Sequence, residues 1–453
     1  MVMAGGKGSR LGALTVHRAK PSVPFAGRYR IIDFVLSNFV NSGYRQVYVL
    51  TQYMASSLIT HLSRNWHLQG INEFVEVSPA QMRRGEHWYR GTADAIYQNL
   101  NLIYDSRAEH VAVFGGDHIY KFAVDQMERQ HRDTGADLTI AACPVPREEA
   151  KGFGVIQVDE SGRIIGFQEK VDDPSPIPGR PDTCLASMGN YIFKRDVLVD
   201  ALREDAEDPH SRHDFGHDLI PRLLAGGAHL HAYDLGRNRV PGDPPEAVPY
   251  WRDVGTVDSY FRACMEVRSP LPALNLYNRQ WRIRTAQRDY PPARFVQHHG
   301  QGAVDLHDSL VAEGSIVVSA RLHEALVGYD CFIHPGASVA SSVLFSGCDV
   351  GAGAMLNRAL LDKNCSLAPG ARVGLNPERD RQRFPFLSEE GVIVLPKGTH
   401  VPAEGPIEFA SDMFELLTTD PGTGPVLEAF EGEIRVSGRR RHSHGSAGPG
   451  YQR

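Results

Sequence analysis

Three glycines in four positions, Gly5, Gly6 and Gly8, follow the apolar opening Met1-Val2-Met3-Ala4, with Lys7 among them and Arg10 just after. Glycine lets backbone N–H groups approach an anion closely and the two cations offset its charge, so the run predicts a polyphosphate-binding loop. It lacks the Gly-Lys-Ser/Thr ending of a Walker A loop and the spacing of the dinucleotide fingerprint Gly-x-Gly-x-x-Gly. Two carboxylates could complete such a site. Asp117 follows the apolar run Val111-Ala112-Val113-Phe114 and the pair Gly115-Gly116, and Asp253 stands in Trp251-Arg252-Asp253-Val254-Gly255-Thr256. Nucleotide phosphates travel with Mg²⁺, a hard cation that takes carboxylate oxygens, which makes Asp117 and Asp253 candidate ligands for it. Asp117 could equally cap a following helix. Spacing alone does not bring the two carboxylates together.

The elements that must position these groups change character halfway along the chain. In the first half, Val47-Tyr48-Val49-Leu50, Val111-Ala112-Val113-Phe114 and Leu138-Thr139-Ile140-Ala141-Ala142 read as buried strands separated by segments of helical spacing. Thr92 is placed to cap a helix whose Ile96, Leu100 and Ile103 share one face. The pattern predicts a doubly wound, Rossmann-like α/β domain, in which ligands collect outside the carboxyl ends of the strands. Both the Gly5 loop and Asp117 would lie there.

In the second half Ile316, Ile333, Val350 and Leu367 recur every seventeen residues. Each has an aliphatic partner six later (Leu322, Val339, Leu356, Val373), and Val327, Leu344 and Leu361 form a third column. Pro335-Gly336, Gly353 and Pro369-Gly370 keep the same beat. This predicts a parallel β-helix of hexapeptide repeats, about four coils long, with one buried aliphatic side chain per face of each turn. Cys331, Cys348 and Cys365 keep the seventeen-residue interval too. Equivalent positions on successive coils make them small packing residues rather than a metal site, which would favour Cys-x-x-Cys spacing.

Residues 1–267 are therefore read as the α/β domain, 268–304 as a linker rich in proline at both ends, 305–405 as the β-helix and 406–453 as a C-terminal extension with disordered composition from about 437. The chain has 453 residues, 42% hydrophobic and 23% charged, enough for two or three globular domains. A net charge of −6 argues against a nucleic-acid partner, and no run is long and apolar enough for a membrane helix. The first residues do not resemble a signal peptide, and six cysteines in so long a chain make no disulfide framework, so the expected compartment is the cytoplasm.

Several motifs in order carry a more specific resemblance: Ala4-Gly-Gly-Lys-Gly-Ser-Arg-Leu11, Arg18-Ala-Lys-Pro21, Phe25 to Phe34, Trp88-Tyr-Arg-Gly-Thr-Ala-Asp-Ala95, Gly116-Asp-His-Ile-Tyr120, Ser187-Met-Gly189 and Trp251 to Thr256. Together they are similar to those of the bacterial ADP-glucose pyrophosphorylases, or glucose-1-phosphate adenylyltransferases, over residues 1 to about 400. The resemblance implies an α/β nucleotidyltransferase domain joined to a left-handed β-helix, and the reaction of ATP with α-glucose 1-phosphate in the presence of Mg²⁺. It implies that Arg10 and Lys20 hold the ATP phosphates, that Asp117 and Asp253 hold the metal, and that Gln52, Tyr89 and Gly91, with Gly5, Gly6 and Gly8, face the nucleotide. Lys170 would grip the sugar phosphate, with Gly154, Glu169, Ser187 and Tyr89 around the glucose. It further implies a homotetramer, and an anionic allosteric effector between the domains at His17, Arg18, Arg30 and Lys363.

The pattern is not followed everywhere. His17 and Pro24 stand where regulated relatives carry Lys and His, and an imidazole binds anions more weakly than an ammonium. Lys363 stands for an effector-site Arg and loses its bidentate contacts. Glu169-Lys170-Val171 replaces Glu-Lys-Pro. Relatives usually begin earlier, so strand one is expected to be completed by residues upstream of Met1. Three rival functions share parts of this evidence: a sibling nucleotidyltransferase with another nucleotide or sugar, a noncatalytic regulatory subunit, and a hexapeptide acyltransferase using His307, His323 or His334. Arg10, Asp117, Lys170 and Asp253 together weigh against the second, and the small number of coils against the third.

Overall fold

The computed structural model describes residues 1–298, 300–430 and 434–437. The disordered composition expected from about 437 falls almost wholly outside them.

Four apolar segments, Val2–Met3, Gln46–Thr51, Phe74–Pro79 and His110–Gly115, pair in parallel in one half of a nine-stranded sheet, with Phe74–Pro79 at its edge. Side chains alternate across it. Val47 and Val49 pack with the helix Ile31–Asn41 on one face, while Leu50, Val111 and Val113 pack with Thr92–Tyr97, Leu100–Ser106 and Arg195–Glu207 on the other. Helices on both faces give the expected doubly wound α/β layering. One long strand, Thr183–Lys194, runs antiparallel between His110–Gly115 and Leu138–Pro146, so the sheet is mixed rather than purely parallel. The parallel strands end at the Gly5 loop, Gln52 and Asp117, all on one rim.

The expected face of Ile96, Leu100 and Ile103 is buried as one cluster, but on two short helices. Thr92 is the first helical residue rather than the cap. Gly91 occupies the cap position, and the Thr92 hydroxyl donates across to Asp214 at 2.9 Å.

The β-helix follows its aliphatic columns with one correction. Leu322, Val339, Leu356 and Val373 stack in register, as do Val327, Leu344 and Leu361. In the remaining column it is Val317, not Ile316, that lies beside Ile333, Val350 and Leu367. Ile316 pairs with Phe332 and is half-buried, whereas Val317 is fully buried. The first coil is one residue shorter there, and a one-residue slip exchanges the side chain that faces the core. A further level, Leu395 beside Leu361 and Val401 beside Leu367, follows an excursion that carries the helix Pro377–Arg383. At the other end, the strand Arg294–Val296, from the stretch read as linker, pairs with Ile316–Val318. Cys331, Cys348 and Cys365 are free and buried in the stack, their thiols donating to carbonyls of the next coil such as Phe345 O at 3.2 Å.

One apolar cluster runs through both halves, from Leu11, Phe25, Tyr260 and Cys264 to Val327, Leu344 and Phe345. Residues after the helix Val257–Val267 wrap back rather than hang free. Trp281 is buried and donates to Asn38 at 3.1 Å, and Thr285 donates to Asp33 at 2.6 Å. Among the described residues no helix is long and apolar enough to cross a membrane.

Candidate active site

The strand Val2–Met3 delivers the chain to the glycine-rich loop, which turns into the short helix Ser9–Leu14. Gly8 has φ +69°, and a Cβ there would stand 2.7 Å from Cβ of Lys20, so only glycine lets the loop lie against that lysine. Lys20 is 5% exposed. Its Nζ donates to Asp117 Oδ2 at 3.0 Å and to Asp253 Oδ1 at 2.9 Å. The two carboxylates meet because the strands Trp251–Asp253 and His118–Tyr120 pair antiparallel, with Asp253 opposite His118.

Electrostatics keeps Lys20 and Asp117 charged. Burial works against the charge on Lys20, but Asp117 and Asp253 outweigh it and hold the ammonium above its ordinary pKa. Burial likewise opposes ionisation of Asp117, and Lys20 and His118 overcome it to hold the carboxyl well below its usual range. Paired anionic oxygens from separate segments suit a hard divalent cation. Among the described residues no group of three or more His, Cys, Asp or Glu has metal-holding geometry, so phosphate oxygens or water would have to supply the other ligands. Arg10 reaches only to 3.9 Å from Asp253 and its side chain is 67% exposed, which leaves it able to swing toward a ligand. Lys7 is differently placed: its ammonium pairs with Asp420 at 2.8 Å.

The residues implied for the nucleotide form one wall. Gln52 follows the strand Gln46–Thr51; its amide accepts from Tyr89 N at 2.8 Å and donates to Tyr89 O at 3.2 Å. A Cβ on Gly5 would touch Gln52 at 3.3 Å, whereas one on Gly6 would meet nothing within 4 Å. The Tyr89 hydroxyl accepts from Asn99 at 2.8 Å. At Gly91 a Cβ would fall 2.2 Å from the carbonyl oxygen of His213, which itself accepts from Ala93 N at 2.8 Å.

The residues implied for the sugar phosphate, Gly154, Glu169, Lys170 and Ser187, lie on or just after neighbouring strands of the sheet. Two glycines from different elements press on one carboxylate: a Cβ on Gly154 would stand 2.7 Å from Glu169 Oε2, and one on Gly216 would stand 2.4 Å from it. Lys170, with φ +49° and an exposed side chain, pairs with Glu169 at 2.9 Å. Ser187 is buried at the bend of the long antiparallel strand and accepts from Gly189 N at 3.3 Å. Asp214 accepts from Gly216 N, His217 N and the Thr92 hydroxyl, linking the helix after Gly91 to the Gly216 turn beside Glu169.

Four residues at this site went unassigned from sequence. His118 lies 3.4 Å from Asp117 and 3.9 Å from Asp253. Trp251 stacks near His118, and its buried indole N–H has no hydrogen-bond partner in the protein. Both sit inside quoted motifs, beside the two aspartates, which was the available signal. Asp214 and Gly216 belong to His213-Asp214-Phe215-Gly216, whose Asp-x-Gly spacing suggests a turn and nothing more.

The residues expected to hold an effector do cluster between the domains, but three of them are engaged with other groups of the protein. Arg18 is 1% exposed and puts its Nη2 2.7 Å from both oxygens of Asp362. His17 is neutral rather than cationic. Burial and Arg18 push its pKa down to about 4, and its Nε2 accepts from Arg18 Nε at 3.1 Å. Arg30 donates to Ser22 Oγ at 2.6 Å and to Ser57 O at 2.7 Å. Lys363 is brought down to about 7 by burial and by Arg18 and Arg30, with Arg288 adding to the effect.

Known proteins agree with this two-part organisation. The Nucleotidyl transferase family profile matches residues 1–269, and that of the GlmU-like, C-terminal hexapeptide family matches residues 291–395. Glucose-1-phosphate adenylyltransferase of Thermus thermophilus is 49% identical over 404 residues, covering 88% of this chain and 97% of the relative. The enzyme of the same name from Deinococcus radiodurans is 46% identical over 405 residues, and glucose-1-phosphate adenylyltransferase 1 of Vibrio vulnificus 45% over 402, each with 88% of this chain and 98% of the relative covered.

Proposed function

This chain belongs to the glucose-1-phosphate adenylyltransferase family of nucleotidyl transferases, and from that premise we propose that it converts ATP and α-glucose 1-phosphate to ADP-glucose and pyrophosphate. The observation that carries the reading is the buried Lys20 bridging Asp117 and Asp253 beneath the glycine-rich loop. A phosphate oxygen of glucose 1-phosphate forms the new bond to the α-phosphorus, and the bond to the β-phosphate oxygen breaks, pyrophosphate leaving with the electron pair. The second pKa of a phosphate monoester is about 6, so the nucleophile arrives ionised and no general base is needed. The protein's work is to hold two anions in line and offset their spreading charge. Arg10 is free to move onto the triphosphate, and Lys20 holds both aspartates in place by hydrogen bonds and keeps Asp117 ionised. Lys170 and Glu169 take the sugar phosphate and its hydroxyls, with the unpaired Trp251 N–H available to a ligand oxygen. Asp117 and Asp253 fit Mg²⁺, which when bound would neutralise phosphate charge.

The product would supply α-glucan synthesis in the cytoplasm, a compartment that suits six free, buried cysteines. The Arg30, Lys363 and Arg288 cluster supports an anionic effector between the domains. Exposed Phe295 and Leu306 on the first β-helix strands support assembly, as a homotetramer, through that end.

Pyrophosphate release with Mg²⁺ and glucose 1-phosphate, compared among ATP, UTP, dTTP, GTP and CTP, tests the reaction. Release with ATP alone, abolished in Asp117→Asn, is expected. Preference for another nucleotide would make this a sibling enzyme, and silence with all five a regulatory subunit.

A further inference from the structure

The glycine-rich loop is touched by a part of the chain that lies beyond both matched spans. After the last β-helix level, the strand Ile407–Ala410 buries Ile407 and Phe409, the helix Ser411–Thr419 buries Met413 and Leu417, and the helix Gly424–Glu428 buries Leu427. The turn between the helices is tightly held. Thr423 Oγ1 donates to Leu417 O at 2.6 Å, Gly424 N donates to Asp420 O at 2.9 Å, and a Cβ on Gly424 would meet Thr418 O at 2.5 Å. Asp420 Oδ1 accepts from Gly422 N at 2.9 Å, which leaves Oδ2 for the ammonium of Lys7 at 2.8 Å. That ammonium also lies 5.6 Å from the ring centre of Tyr53, the residue after Gln52 on the nucleotide wall.

We propose that Asp420 is a positioning residue that sets nucleotide affinity by holding Lys7, so that the C-terminal segment competes with the nucleotide's phosphates for that cation. The inference rests on the reading of Gly5 to Arg10 as the phosphate loop. Asp420 is fixed by its own turn whether or not Lys7 is present, while the Lys7 side chain is long and 40% exposed. The mobile partner is therefore the lysine. A triphosphate at the loop carries several negative charges against the single one of Asp420, so it can draw Lys7 away, at a cost equal to the ion pair it replaces. An exposed pair of this kind is worth up to about 1 kcal/mol, or about a fivefold change in affinity.

The test is the full-length Asp420→Asn variant, which keeps the oxygen that accepts from Gly422 and removes only the charge. The KM for ATP is expected to fall about three- to fivefold with kcat and the KM for glucose 1-phosphate unmoved, and the difference should shrink in 0.5 M NaCl. It should vanish when Lys7→Met is compared with Lys7→Met/Asp420→Asn. A KM for ATP that is unchanged or higher in Asp420→Asn, or a decrease that persists without Lys7, would overturn the inference. ATP binding by titration calorimetry reads the same ratio without turnover. Tighter ATP binding by the variant of a chain that releases no pyrophosphate would sink the proposed reaction and keep this inference. Equal ATP affinity in an active enzyme would sink the inference alone, and no ATP binding by either protein would sink both.

Discussion

Replacing Lys20 by Met removes the ammonium that hydrogen-bonds both Asp117 and Asp253, while keeping most of the side chain's volume. The lysine is 6% exposed along its side chain and makes hydrogen bonds of 3.0 and 2.9 Å to carboxylates that are 39% and 19% exposed. Charge-assisted hydrogen bonds are worth about 1.5–3 kcal/mol each, but the solvent reaching Asp117 discounts its share. About 3 kcal/mol of stability should be lost, the low end of the ~3–5 kcal/mol expected when a fully buried pair is broken. Urea unfolding at neutral pH, followed by circular dichroism, measures it. The difference should also depend on pH with a definite sign. Asp117 is held below its unfolded value of about 3.9, so its contribution is present above that value and is lost as the pH falls through the lower, folded one. Wild type and variant should stay apart down to about pH 4 and converge only below it. Millimolar Mg²⁺ should stabilise the variant more than the wild type, because its two carboxylates have lost their counter-charge. A stability change under about 1 kcal/mol, or one that persists in acid after the carboxylates are protonated, would refute the bridging role of Lys20.

Two other perturbations follow from the same geometry. In Gly91→Ala the new methyl meets the His213 carbonyl at 2.2 Å, so the backbone carrying Tyr89 must move; an overpacking cost of about 2 kcal/mol and a roughly tenfold rise in the KM for ATP are expected from melting and steady-state kinetics, and unchanged values would show the joint to be slack. Lys363, held down to about 7, should gain a proton when an anion binds beside it. Inorganic phosphate should therefore raise the melting temperature more at pH 6.5 than at pH 8.5, with Lys363→Met flattening the difference; an equal rise at both pH values would place the anion elsewhere.

Much of this molecule is legible along the chain because its signals are short-range. Burial at period two, a glycine where backbone must approach a ligand, and an aliphatic residue at each turn of a coil are written within a few tens of residues of one another. The alternation of strands and helices, the stacked columns of the β-helix and the quoted motifs all follow from them. Even so, the column that seemed to start at Ile316 starts at Val317, since a coil can shorten by one residue at a corner and the packing below decides which side chain turns inward. Thr92, with the right chemistry for a helix cap, gives its hydroxyl to Asp214 instead.

Charge pairing across the chain was beyond reach of such patterns. Asp117 and Asp253 could be named from their surroundings, but only the antiparallel pairing of Trp251–Asp253 with His118–Tyr120 brings both to Lys20. Arg18 and His17 were expected at an open anion site, and the fold buries one on Asp362 and leaves the other neutral. Lys7 looked like a free phosphate ligand until a segment from the far end of the chain placed Asp420 on it. Sequence determines which residues can be buried and which backbone positions tolerate a turn, because those depend on neighbours close along the chain. Which charge meets which is decided by the tertiary structure, since a Coulomb interaction depends on distance and local dielectric, and both are set only when distant segments pack.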